Sequence, residues 1–168
     1  MRVRIDRNVP VSVARRMRKL ADWLRKCGGV DCRRHKLSVL ISSASTVSDG
    51  IYSSFGVFVY SRKRSHVPAI IVATGVCLLR KEYGFSLKEV LESVELIFAH
   101  EWVHFWQWSQ RGVCTERGVS VRAKGLLRRY IGGVDEVSGV RRKRKSSGFV
   151  PRVRRKRAAG RSKTSHRA

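Results

Sequence analysis

Acidic side chains are scarce in this 168-residue chain. Twelve Asp and Glu stand against 37 Lys and Arg, which leaves a formal charge of +25 and a pI near 11.4. Long apolar runs are missing too: the longest, around Val67–Leu79, is too short for a bilayer and is broken by Pro68 and Gly75. No membrane association is expected. No apolar segment follows the basic start Met1-Arg2-Val3-Arg4 closely enough to make a signal peptide. The four cysteines, Cys27, Cys32, Cys77 and Cys114, form neither a CxxC pair nor a dense framework, so a disulfide scaffold and a Cys-based metal site are both disfavoured. Reduced thiols in a cytoplasmic protein are the expected state. What is present argues against wholesale disorder, because 42% of the residues are hydrophobic and four are Trp.

The positive charge is unevenly spread. Residues 141–168 hold 13 basic and no acidic side chains, whereas residues 1–140 hold 24 basic and all 12 acidic ones. The runs Arg141–Lys145 and Arg154–Arg157, spaced by Ser, Gly and Pro, bury too little apolar surface to fold alone. Residues 1–140 therefore read as one folded domain and residues 141–168 as a disordered basic tail. Neutralising phosphates with many Lys and Arg gives salt-sensitive, sequence-independent binding, so the tail is a candidate nucleic-acid contact.

Within the first 140 residues the periodicities predict the order β-α-β-β-β-α-α. Val3 and Ile5 alternate as a strand. Val13, Met17, Leu20, Leu24 and Cys27 form one helix stripe, with Ser12 as a cap and Gly28-Gly29 as the stop. Leu37, Val39 and Ile41 alternate again, and the Ser-rich stretch to Gly50 reads as loop. Ile51–Tyr60 and Ala69–Thr74 predict a β-hairpin, and Pro68 marks its second member as an edge strand. Ser86 and Glu89 fit a capping box ahead of an apolar face of Leu87, Val90, Leu91, Val94, Ile97 and Phe98, which Gly112 ends. Thr115 could cap a last helix that buries Val119, Ala123, Leu126, Leu127 and Tyr130, weakened by Gly118 and Gly125 and closed by Gly132-Gly133.

The long helix contains His100-Glu101-Trp102-Val103-His104, an HExxH motif. Residues four apart lie about 40° apart around a helix, so both imidazoles can face one metal ion. Glu101 falls on an adjoining face, where it can take a proton from an attacking water without being a ligand. Zinc would lower the pKa of that water and polarise a scissile carbonyl. A third protein ligand is needed. A metzincin pattern would put Gly at 107 and His at 110, and both positions are Gln. Glu116, twelve residues past His104 and at the start of the next helix, is the best candidate, ahead of Asp135, Glu136 and His66. Tyr130, Tyr60 and His66 each carry a donor able to stabilise an oxyanion. The edge strand Ala69–Thr74 offers unpaired backbone groups to an extended peptide.

The segment Ala99-His100-Glu101-Trp102-Val103-His104-Phe105-Trp106-Gln107 resembles the active helix of small zincin-type metallopeptidases, including the SprT-like and ImmA/IrrE-like groups and phage or plasmid relatives. Gly56-Val57-Phe58 with Ala69–Ala73 resembles their hairpin, and Thr115-Glu116 with Ala123 and Leu126-Leu127 resembles their second helix. The likeness covers Ile51–Tyr130; a SprT-like third His after the motif is missing. It implies a minimal zincin-like α+β domain, with a small antiparallel or mixed sheet packed on the active-site helix. It also implies Zn2+ held by His100, His104 and Glu116, with Glu101 as general base and a protein or peptide as substrate. The competing expectation is a non-enzymatic, basic nucleic-acid-binding protein in which the HExxH helix is structural.

Overall fold

The computed structural model describes residues 1–48, 50, 52–61, 66–75 and 84–137, with side chains as far as residue 133. The tail predicted for 141–168, the end of the first domain and Cys77 lie outside the described residues. Four strands form a mixed sheet in the order β1-β2-β6-β5: β1 is Arg2–Ile5, β2 Ser38–Ser42, β5 Gly56–Val59 and β6 Ala69–Ala73. β1, β2 and β6 run parallel, and β5 returns antiparallel to β6. The predicted hairpin is therefore present, but its edge is reversed. β6 is an inner strand, with Ala69 paired to Ser38 on one side and to Val59 on the other. Pro68 precedes the first ladder residue, where its missing N–H breaks no bond, and its carbonyl accepts from the Ser38 N–H at 3.0 Å. The exposed edge on this side belongs to β5. A second departure is a two-stranded ribbon: β3 (Val47–Ser48), where the Ser-rich sequence predicts loop, pairs with β4 (Ser53–Ser54), which is separate from β5 although Ile51–Tyr60 is predicted as a single strand.

The sheet is buried on one face. Val39, Ile41, Ile70 and Val72 are wholly buried, while their neighbours Leu40 and Ile71 are only half-buried on the other side. The covered face receives α1 (Val11–Cys27) and α2 (Leu87–Arg111), and α3 (Val119–Val137) packs on α2. This is an α+β arrangement with the helices on one side of the sheet.

α1 buries Val13, Met17, Leu20 and Leu24, as its stripe predicts, but Cys27 at its end is exposed and Ser12 does not cap it. Pro10 takes the cap position, where a fixed φ suits the entry and no N–H is lost. α2 opens on the predicted capping box: the Ser86 hydroxyl accepts from the Glu89 N–H, and the Glu89 carboxylate accepts from the Ser86 N–H. Leu87, placed on the apolar face by its spacing, is 60% exposed. The centre of the core is Phe98, Trp102 and Phe105 from α2 against Met17, Leu20 and Leu24 from α1. Trp102 is wholly buried, and its indole N–H donates to the Gly28 carbonyl at 3.2 Å.

Two details of α3 differ from expectation. Gly118, at φ +76°, lies just before the helix rather than inside it, so it does not weaken the helix interior as Gly125 does. Gly132-Gly133 does not end the helix, which continues to Val137; the interior hydrogen bonds outweigh the modest cost of glycine. Among the described residues, no helix is long and apolar enough to cross a membrane.

Candidate metal centre

The site begins with α2. Its 3.6-residue turn brings His100 and His104 together, with rings 4.9 Å apart and their Nε2 atoms 3.2 Å apart. Gly112 then reverses the chain in the left-handed region, at φ +73°. Two contacts tie the following turn back onto α2. The Thr115 N–H donates to Gln107 Oε1 at 3.0 Å, and the Cys114 thiol reaches the His104 carbonyl at 3.5 Å. Glu116 is thereby laid over the histidines, with Oε2 3.3 Å from His100 Nε2 and Oε1 3.0 Å from His104 Nε2. Sequence spacing places Glu116 in the first turn of the last helix. It sits instead in the preceding turn, where its carbonyl accepts from the Val119 N–H. Thr115 likewise anchors that turn and caps no helix.

The three side chains could hold a metal ion, since one ligand atom from each lies within 4.8 Å of the others. Ligands about 2.0–2.1 Å from a tetrahedral ion stand about 3.3 Å from one another, close to the separations here. The donor set, two imidazoles and a carboxylate, suits zinc as well as other divalent transition metals. His104 is 10% exposed and His100 28%, whereas the Glu116 carboxylate is 76% exposed. Burial, then the neighbouring His104, pushes the His100 pKa down, with Glu116 opposing, so the neutral, ligating imidazole is favoured. His104 Nδ1 is buried and has no hydrogen-bond partner among the described residues. Among the described residues, no carboxylate or carbonyl therefore fixes this ring through Nδ1, as one commonly does for an imidazole that binds a metal.

Glu101 is 8% exposed and faces β5. Its carboxylate accepts from the Phe58 backbone N–H, yet burial, then the charge of Glu116, pushes its pKa up to about 7. That value lies where a group can take and return a proton near neutrality. The approach of β5 depends on Gly56. A Cβ there would stand 2.4 Å from Ile97 Cγ2 and 3.1 Å from Glu101 Cγ. Gly56→Ala is expected to push β5 off α2 and cost about 1–3 kcal/mol, read as a lower denaturant midpoint. An unchanged midpoint would mean that β5 has room to spare.

The other sequence candidates are dispersed. Tyr130 is eleven residues along α3 from Val119, about 16 Å, and packs on Trp23 with ring centroids 5.6 Å apart. That position removes it as an oxyanion donor. His66 lines a separate cleft at the C-terminal end of α2, outside the metal-ligating cluster. The side chains of Asp135 and Glu136 lie outside the described residues. Tyr60 stays close: it follows β5 and hydrogen-bonds to Cys114, two residues before Glu116. The edge predicted for Ala69–Thr74 belongs instead to β5, beside Glu101.

Two contributors escape sequence reasoning. Gln107 is noticed there only as a departure from a ligand pattern, and its place one turn beyond Val103 on the same helix gives no hint that it pins Thr115. The close approach at Gly56 is equally silent in the sequence. No family model, curated protein or solved structure matches this chain.

Proposed function

We propose that the protein is a zinc-dependent metallopeptidase of HExxH type, with a catalytic unit in residues 1–140. The observation that carries this reading is the cluster of His100 Nε2, His104 Nε2 and the Glu116 carboxylate, with separations of 3.0–3.3 Å, next to the buried acid Glu101. Zinc bound by these residues would supply Lewis acidity, making water a nucleophile at neutral pH and polarising the peptide carbonyl. Glu101 takes the proton as the water oxygen bonds to the carbonyl carbon, then delivers it to the leaving nitrogen as the C–N bond breaks. Apart from the Phe58 N–H, which Glu101 engages, the outer edge of β5 offers backbone groups to an extended substrate, by the same pairing that adds a strand to a sheet. Tyr60, beside Cys114, is the candidate donor to the developing oxyanion.

The free thiols Cys27, Cys32 and Cys114 accord with work in the cytoplasm. Residues 141–168, with 13 basic side chains, would add contacts to nucleic acid. The same charge favours one other reading, a non-enzymatic nucleic-acid-binding protein with a structural HExxH helix. Metal content separates the two. Purified full-length protein is expected to carry about one zinc per chain and the His104→Ala variant almost none. Equally little zinc in both would sink the enzyme reading.

A further inference from the structure

Beyond the metal centre, a cleft of about 880 Å³ opens between the C-terminal end of α2 and the chain ends that flank β5 and β6. Arg34, Lys36 and Arg111 line it, together with the half-buried Trp108, and no lining side chain among the described residues is acidic. The closest acid in sequence, Asp31, is engaged locally, its carboxylate accepting from the backbone N–H groups of Arg33 and Arg34. The cleft is therefore a concave cationic surface with one aromatic wall.

Its position relates it to the site. Trp108 lies one helical turn beyond His104 on nearly the same face, about 6 Å along the axis. Ser61, on the rim, is three residues beyond Phe58, the residue whose N–H meets Glu101, or about 10 Å along an extended chain. Helix and strand thus lead from the metal-ligating cluster to the cleft in the same direction. The Trp108 ring bridges the two elements, with centroids 6.2 Å from Phe58 and 6.3 Å from Tyr60.

We propose that this cleft is a specificity subsite for acidic side chains of a peptide substrate, about three residues from the bond aligned beside Glu101. The inference rests on the peptidase reading for the word substrate. Attraction for polyanions in general belongs to the whole basic surface. Particular to the cleft is that Ser61 carries the chain on from β5 into its lining, so a peptide that follows β5 past Glu101 would come first to Arg111 at the end of α2, and then to Arg34 and Lys36 across the ends of β5 and β6. Carboxylates there gain charge-assisted hydrogen bonds, and a matched neutral peptide does not.

The test is fluorescence anisotropy with the full chain and two labelled peptides, one carrying three consecutive Glu and the other Gln at the same places. The Glu peptide should bind roughly tenfold more tightly at physiological salt. The triple variant Arg34→Ala/Lys36→Ala/Arg111→Ala should erase the preference, and the single variant Arg111→Glu should reduce it. The charge-matched variant Arg15→Ala/Arg18→Ala/Lys19→Ala, on the exposed face of α1, should leave it intact. Equal weakening by both triples would overturn the subsite in favour of general charge. A thymidine oligonucleotide that responds to the cleft triple when the Glu peptide does not would overturn it in favour of nucleic acid. Zinc content and cleavage are read separately: a zinc-loaded, active protein without any Glu preference refutes the cleft alone. A metal-free, inactive protein that keeps the preference refutes the peptidase reading alone.

Discussion

Glu101→Gln is expected to lower peptide hydrolysis by about 10²–10⁴-fold while leaving zinc content unchanged, the loss typical of a missing general base. Metal analysis and a cleavage assay on the same preparation provide the check. Full activity in the variant would remove Glu101 from the chemistry; loss of zinc along with activity would make it a structural residue. The same substitution should stabilise the metal-free protein at neutral and alkaline pH. In the folded chain the Glu101 pKa rises from 4.5 to about 7, so folding favours the protonated acid. Below pH 4.5 the group is neutral in both folded and unfolded chains and imposes no penalty. Between those values the unfolded chain has released a proton that the folded chain still holds, and stability falls as pH rises. Above pH 7 the loss is complete, at about 3 kcal/mol. Gln at 101 abolishes that slope, so wild type and variant should diverge in denaturant midpoint from pH 5 to 8. Parallel pH profiles would contradict the burial of a titrating acid at this position.

Arg16→Met should be the most damaging change outside the site, at about 3–5 kcal/mol. The Arg16 guanidinium from α1 donates to both oxygens of Glu95 on α2, at 2.6 and 2.9 Å, and the Glu95 side chain is wholly buried. Removing Arg16 leaves a carboxylate in the core without its fork. Replacing both residues, Arg16→Met with Glu95→Met, should recover most of the lost stability, since an apolar pair of similar volume carries no desolvation cost. Chemical denaturation of the two variants decides the matter. A single variant within 1 kcal/mol of wild type would show that water reaches Glu95 and that the pair is superficial.

The sequence makes some of this plain and hides the rest, for reasons that lie in particular residues. Local signals carry through: the stripe Val13–Leu24, the box of Ser86 and Glu89, the stop at Gly112 and the facing pair His100 and His104 depend on neighbours within one or two turns. Strand order does not. Pro68 points to an edge, yet whether β5 or β6 lies outermost depends on the docking of β2, some thirty residues away in sequence. Glu95 is a further local signal. Leu91, Glu95, Phe98 and Trp102 follow the i, i+4, i+7, i+11 spacing, so an acid stood inside an apolar stripe, a sign of a buried partner. Glu116 as a candidate ligand could be read from chemistry, as an acid near the motif. Its seat in a turn, outside any helix, could not be, because that turn is set by Gln107 and Cys114 through side-chain contacts that follow no helix or strand period.

That seat divides the three candidate ligand residues between two regimes of motion. His100 and His104 move only with α2, whose core residues Phe98, Trp102 and Phe105 are wholly buried. Glu116 rides on a short, mostly exposed surface segment, tied down by the Gln107 side chain and by the contacts of Cys114 with the His104 carbonyl and Tyr60. Opening that segment needs no unfolding of the core and draws on the low-stability end of the molecule. The residence time of an ion held by the three would then follow the local opening rate of residues 112–118 rather than the global stability. A chelator arriving from solvent would meet the carboxylate first.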